Sequence, residues 1–282
     1  MMRPRVWSSA ILAFMVIGLA SSAARAGSIR ITVTNNQPAG GFAITPVWVG
    51  LHDGTFDLFN PGAASSSALE TVAELGETGP LMTAFAGMGP QTTLTSGGAL
   101  PPFLPGSSNF VDLNVMNPAL TRYLNFAAMV VPSNDLFVGS PNPLAFPIFD
   151  AAGAFTGPLT IQIFGRMVWD AGTEVNNIGL GPAFVTGVDA LLGTAENGTA
   201  HLFFDETNAG NYLSSINGVS TPGGTISRLF GPGDLIATIQ VTAVPEPSSL
   251  VLAGIGMCGL ILLKICRDRG RSAGQPSSSA SA

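Results

Sequence analysis

Cysteine is almost missing from this 282-residue chain: there are two, Cys258 and Cys266, both near the C-terminus. That excludes a disulfide-stapled scaffold, and thiol chemistry is absent from the rest of the chain. Histidine is equally scarce, with His52 and His201 alone. Between positions 27 and 244 the patterns G-x-S-x-G, H-E-x-x-H and the phosphate-binding P-loop do not occur. Charged residues make up only 10% of the chain, while Gly numbers 35 and Pro 21. Helical repeats are excluded by that composition, and collagen by the lack of a period of three. Between positions 27 and 244, four basic residues (Arg30, Arg122, Arg166, Arg228) stand against fifteen Asp and Glu, a formal balance of −11. Such a body repels nucleic acid and other polyanions and attracts divalent cations.

Both ends read as addresses rather than fold. Positions 1–26 have the form of a secretory signal: Arg3 and Arg5, an apolar stretch at 7–20, and Ala24-Arg25-Ala26 as a small-x-small cleavage site. The stretch is shorter than the ~20 residues a span needs, which favours a cleaved signal over a retained anchor. At the other end, Val244-Pro245-Glu246-Pro247-Ser248-Ser249 precedes a 14-residue apolar run at 250–263. Lys264, Arg267, Arg269 and Arg271 follow, and then a Ser/Ala-rich tail at 272–282. A transmembrane helix is expected there, marginal in length unless Lys264 snorkels. The basic residues hold that end in the cytoplasm and leave the body across the membrane.

The tail at 244–271 resembles the PEP-CTERM sorting signal of Gram-negative bacteria. The resemblance implies an exosortase-type sorting partner that recognises and cleaves near the motif. It also implies a transient or permanent membrane anchor, with delivery to the periplasm, the cell surface or an exopolysaccharide matrix.

The segment 27–243 reads as one β-rich domain. SIRITVTN (28–35) alternates apolar and polar residues, the period of a half-buried strand. Further strands are expected at 43–50, with an edge or bulge at Pro46, and at 109–115, 123–131, 159–168, 199–204 and 234–243. A helix is expected over 65–75, with Ser67 and Glu70 at capping-box spacing, and a second short one over 81–88. The stretch 91–108 reads as a loop, and 183–220 as a surface excursion or loose hairpins. Short strands between Gly/Pro turns argue for an all-β, antiparallel β-sandwich with one or two short helices in a connection. Regular first and last strands let the termini meet on one sheet.

His52, beside Asp53, reads as a turn histidine or half of an acid–base pair, and His201 as an exposed strand position. The carboxylates are more informative. The strand at 159–168 runs into Trp169-Asp170-Ala171-Gly172-Thr173-Glu174-Val175-Asn176-Asn177, and the strand at 123–131 into Pro132-Ser133-Asn134-Asp135. If both end at one rim, Asp135, Asp170 and Glu174 converge and repel one another. A Ca²⁺ ion, taking 6–8 oxygens, resolves that repulsion. Solvated turn acids are the plain alternative. Mg²⁺ suits such a site less well, and Zn²⁺ lacks its usual His and Cys ligands there.

Several segments, in order, look like the spondin N-terminal domain in its bacterial form: ITVTN at 31–35, His52 with FDLF at 56–59, the Ser/Ala/Leu/Glu helix, VVPSNDLFVG at 130–139 and DAGTE at 170–174. The resemblance implies a C2-like sandwich with Ca²⁺ at one rim. It matches Asp170 and Glu174 to the family's acidic loop and Asp135 to its P-S-x-D segment. The stretch 183–230 departs from the family's histidine-containing segment, with His201 alone. The expected function is a non-enzymatic cell-surface or exopolysaccharide-matrix protein for adhesion, its partner a surface glycan or matrix protein. The competing expectation is an extracellular carboxylate-based hydrolase acting on polysaccharide.

Overall fold

Alternation and burial coincide at the start of the chain: in the first strand Ile29, Ile31, Val33 and Asn35 are buried and the intervening residues half-exposed. In a computed structural model describing residues 27–244, the chain runs through β1 (Ser28–Asn35), β2 (Ala43–Ile44), β3 (Val47–His52), α1 (Ser67–Leu75), α2 (Gly79–Ala84), β4 (Gln91–Leu94), β5 (Ser108–Asn114), β6 (Tyr123–Val131) and β7 (Leu136–Gly139). It continues through β8 (Leu159–Phe164), β9 (Trp169–Asp170), β10 (His201–Leu202), α3 (Ala209–Ile216), β11 (Ser220–Thr221), β12 (Gly224–Thr225) and β13 (Leu235–Ala243). The expected signal at 1–26, the apolar run at 250–263 and the tail at 272–282 lie outside the described residues. Among those described, no helix is long and apolar enough to cross a membrane.

Two antiparallel sheets face each other. One has four strands in the order β5-β1-β13-β8; the other runs β10-β9-β7-β6-β3-β4, with β2 also paired to β6. The first and last strands pair directly, Ile29 opposite Ala243 through Asn35 opposite Ala237. Between the sheets lie Ile31 and Val33 from β1, Val49 and Leu51 from β3, Phe126 and Val130 from β6, and Ile239 and Val241 from β13. Each such side chain, fully buried, contributes roughly 1.5–3 kcal/mol.

The helices add a layer beyond a simple sandwich. Leu69, Val72 and Ala73 of α1, with Leu81 and Phe85 from α2 and its end, cover Trp48, Ala127 and Phe137 on the outer face of the larger sheet. Covered on both faces, β3 is buried throughout and β6 from Leu124 onward, so neither alternates. The cap of α1 is Ser66, not Ser67: its Oγ accepts from the Leu69 N–H at 3.3 Å.

Other boundaries move for local reasons. The strand expected over 43–50 splits at Thr45-Pro46 into β2 and β3, because Pro has no N–H to donate to a ladder. The strand expected over 159–168 stops at Phe164, makes a 3₁₀ turn at Gly165–Met167 and resumes as β9 in the other sheet. A Cβ at Gly165 would overlap the Gly231 carbonyl, so the chain crosses between sheets where only glycine fits. Within the stretch read as an excursion, α3 buries Ala209, Tyr212, Leu213 and Ile216.

Candidate metal centre

At one edge of the larger sheet three short strands lie side by side, β7, β9 and β10. Asp170 is opposite Leu136 on one side and His201 on the other. Directly opposed residues project to the same face, so the Asp170–His201 pairing brings carboxylate and imidazole together. Glu206 arrives just after a 3₁₀ turn at Phe203–Asp205, anchored by buried Phe203 and by the core residues of α3. One ligand atom from each of Asp170, His201 and Glu206 lies within 4.8 Å of the others.

Each donor is oriented by a further bond. His201 Nδ1 is 2.7 Å from the Thr199 carbonyl. A carbonyl only accepts, so Nδ1 carries the proton and Nε2 turns inward, 3.3 Å from Glu206 Oε1. Asp170 Oδ1 accepts from the Gly172 N–H and Oδ2 from Asn176 Nδ2, both at 2.7 Å. The same Asn176 amide reaches the Glu206 carboxylate at 3.4–3.5 Å. Gly172 has φ +68, and a Cβ there would strike the Thr199 backbone; glycine is what lets this loop lie against the strand carrying His201. A cleft of about 320 Å³, bordered by Asn176, Glu196, His201, Glu206, Thr207 and Asn208, opens beside the group.

The electrostatics call for positive charge. Burial, then Glu206, raises the proton affinity of Asp170. Burial also raises that of Glu206, against the opposing pull of its hydrogen bond to Asp170 and of His201. Burial works against protonating His201, but the Thr199 carbonyl, Asp170 and Glu206 outweigh it and push its pKa up. A shared proton or a cation satisfies such a set. The Asp170–His201–Glu206 group can hold a metal ion.

Of the three residues expected from the sequence, Asp170 alone belongs to this group. Asp135 is fully buried, and its Oδ2 accepts from the Thr173 N–H (2.8 Å) and the Glu174 N–H (3.1 Å), clasping the DAGTE loop. Its Oδ1 has no hydrogen-bond partner. Burial, then Asp170, raises the Asp135 pKa. The Glu174 carboxylate sits against Gly181 and Gly193 and accepts from Asn134 Nδ2 at 3.3 Å. Burial pushes its pKa up to about 7, with Glu74, Asp135 and Glu70 adding to the effect. Tyr212 on α3 braces the same corner: its hydroxyl donates to Asn134 Oδ1 (2.8 Å) and accepts from the Asn134 N–H (3.1 Å).

Sequence reasoning missed His201 and Glu206. The objection that the site lacks a histidine fails, because strand pairing supplies one from 31 residues downstream of Asp170. The available signal was His201 with Glu206 five residues on, in an otherwise histidine-poor chain. His52 is the turn histidine: its Nδ1 accepts from the Gly54 N–H at 3.0 Å, and Asp53 bonds Thr55 instead. Burial lowers the His52 pKa among Phe56, Phe85 and Tyr123. Compared with protein-family models and with curated proteins, the chain matches none.

Proposed function

We propose that this chain is an exported, non-enzymatic cell-surface or exopolysaccharide-matrix protein whose β-sandwich carries a divalent cation at one rim. The observation that carries the cation is the convergence of Asp170, His201 and Glu206, each already oriented by a further hydrogen bond. Export rests on the two ends of the sequence: a secretory signal at 1–26 and a PEP-CTERM-like tail at 244–271 read by an exosortase. The antiparallel sandwich between them is compatible with the C2-like, spondin-type domain that the segments at 31–35, 130–139 and 170–174 resemble. Adhesion to a glycan or matrix protein is the role that fits such a body. Ca²⁺ is the ion that resemblance names, and the two carboxylates suit it; the imidazole is the donor that departs from it.

The hydrolase reading finds one favourable observation, the cleft bordered by Glu196 and Glu206. Against an inverting enzyme, the ligand oxygens of Asp170 and Glu206 lie within 4.8 Å, well short of the ~6.5–9.5 Å between inverting glycosidase carboxyls. No Trp, Tyr or Phe borders the cleft for a sugar ring to stack on. A shared ion suits that spacing better than a divided acid and base.

The test is thermal unfolding of the secreted chain in EDTA and in Ca²⁺, Zn²⁺ or Mn²⁺. At least one ion should raise Tm, and Asp170→Asn should remove the rise. No rise with any of the ions, or an undiminished one in the variant, ends the proposal.

A further inference from the structure

Resting on the cation site proposed above, the donor chemistry narrows the ion. We infer that the Asp170–His201–Glu206 site takes a borderline transition ion of the zinc class in preference to Ca²⁺, with water completing its coordination on the cleft side.

The imidazole is the first argument. Hard cations such as Ca²⁺ take oxygen ligands, whereas imidazole nitrogen suits Zn²⁺ and its neighbours. The second is how His201 is held. A metal-bound histidine characteristically donates its other ring N–H to a carbonyl, which fixes the tautomer and aims the lone pair. His201 does this through Nδ1 to Thr199, leaving Nε2 directed at Glu206. Both carboxylates are likewise steered by neighbours, Asp170 by Gly172 and Asn176, Glu206 by Asn176. The third is donor number. Three protein ligands with one open position is the arrangement of open zinc sites, while Ca²⁺ needs 6–8 oxygens. Bonds of about 2.0–2.1 Å at tetrahedral angles set adjacent donors about 3.3 Å apart; Nε2 and Oε1 are 3.3 Å apart here. Asp170 forms the closed floor of the site, with no exposed surface. His201 and Glu206, with side chains 35% and 14% exposed, form its open side. The cleft beyond them is where exchangeable water sits.

The experiment is calorimetric titration of the EDTA-stripped, dialysed secreted chain with ZnCl₂ and, separately, CaCl₂. One Zn²⁺ should bind at least tenfold more tightly than Ca²⁺. His201→Gln should cost at least tenfold in Zn²⁺ affinity and leave Ca²⁺ affinity within about twofold. Glu206→Gln should also weaken Zn²⁺, and both variants are checked for native melting in EDTA. Co²⁺ put in place of Zn²⁺ should give the intense visible absorption of four-coordinate cobalt. Tighter Ca²⁺ binding, an indifferent His201→Gln variant or the weak spectrum of six-coordinate cobalt overturns the inference while leaving a cation site standing. Failure of both ions to bind overturns the cation reading together with it.

Discussion

Replacing Glu174 with Gln should stabilise the metal-free protein at alkaline pH. Glu174 is 6% exposed, and its carboxylate accepts from Asn134 Nδ2 at 3.3 Å. Burial first, then Glu74, Asp135 and Glu70, lifts its pKa from the ordinary 4.5 to about 7. One pKa unit is worth about 1.4 kcal/mol; discounted for solvent screening, ionising Glu174 in the folded chain costs on the order of 1–2 kcal/mol. The sign follows from proton counting. Between about pH 4.5 and 7 the folded chain holds a proton that the unfolded chain has released. Stability contributed by this group therefore falls as pH rises through that window and stays low above it. Gln keeps an acceptor for Asn134 and carries no charge, so Glu174→Gln should lose that part of the fall. Urea unfolding in EDTA at pH 5, 6, 7 and 8, followed by circular dichroism, gives the difference between the two proteins. Asp135 and Asp170 add to the slope in both proteins, and the difference reports Glu174 together with its charge coupling to Asp135. A variant equal to or less stable than the parent at pH 8, or a difference that does not grow from pH 5 to pH 8, refutes the reasoning.

Tyr212→Phe removes the hydroxyl that serves both Asn134 Oδ1 and the Asn134 N–H. Asn134 Oδ1 keeps the Asn177 N–H at 2.9 Å, but the buried Asn134 N–H is left without a partner, which should cost about 1–3 kcal/mol in urea unfolding. Gly50→Ala places a methyl between Trp48 and Phe85, whose ring atoms would lie 2.7 and 2.8 Å from it. Overpacking of about 1–3 kcal/mol should lower Tm and loosen α2 against the sheet, visible as faster amide hydrogen exchange in Gly79–Ala84.

How well each element can be read from the chain depends on how many of its faces are buried. In β1 and β13 one face meets the core and the other water, so apolar and polar residues alternate and the strands stand out. In β3 and β6 the helices cover the second face, the alternation disappears, and these strands are read from their apolar runs. The break after Phe164 is invisible in LTIQIFGRMV, because it arises where Gly165 passes the Gly231 carbonyl, a contact between distant segments. Two-residue strands such as β9 and β10 have no period to detect.

The metal centre divides along the same line. Asp170, Gly172 and Asn176 form a local loop, and its acids and its glycine mark it as a place where the chain turns and gathers oxygen. Asp135 was legible as a neighbour of that loop, although its carboxylate grips the loop backbone. His201 and Glu206 carry no such mark. They become donors because β10 pairs with β9 and α3 packs its apolar side into the core, and both depend on contacts remote in the chain. Composition and short-range pattern were enough for an acidic, cysteine-free, antiparallel body, since charge balance and strand period are local properties. Which side chains converge was left to folding, because a ligand set is a meeting of distances that no local spacing encodes.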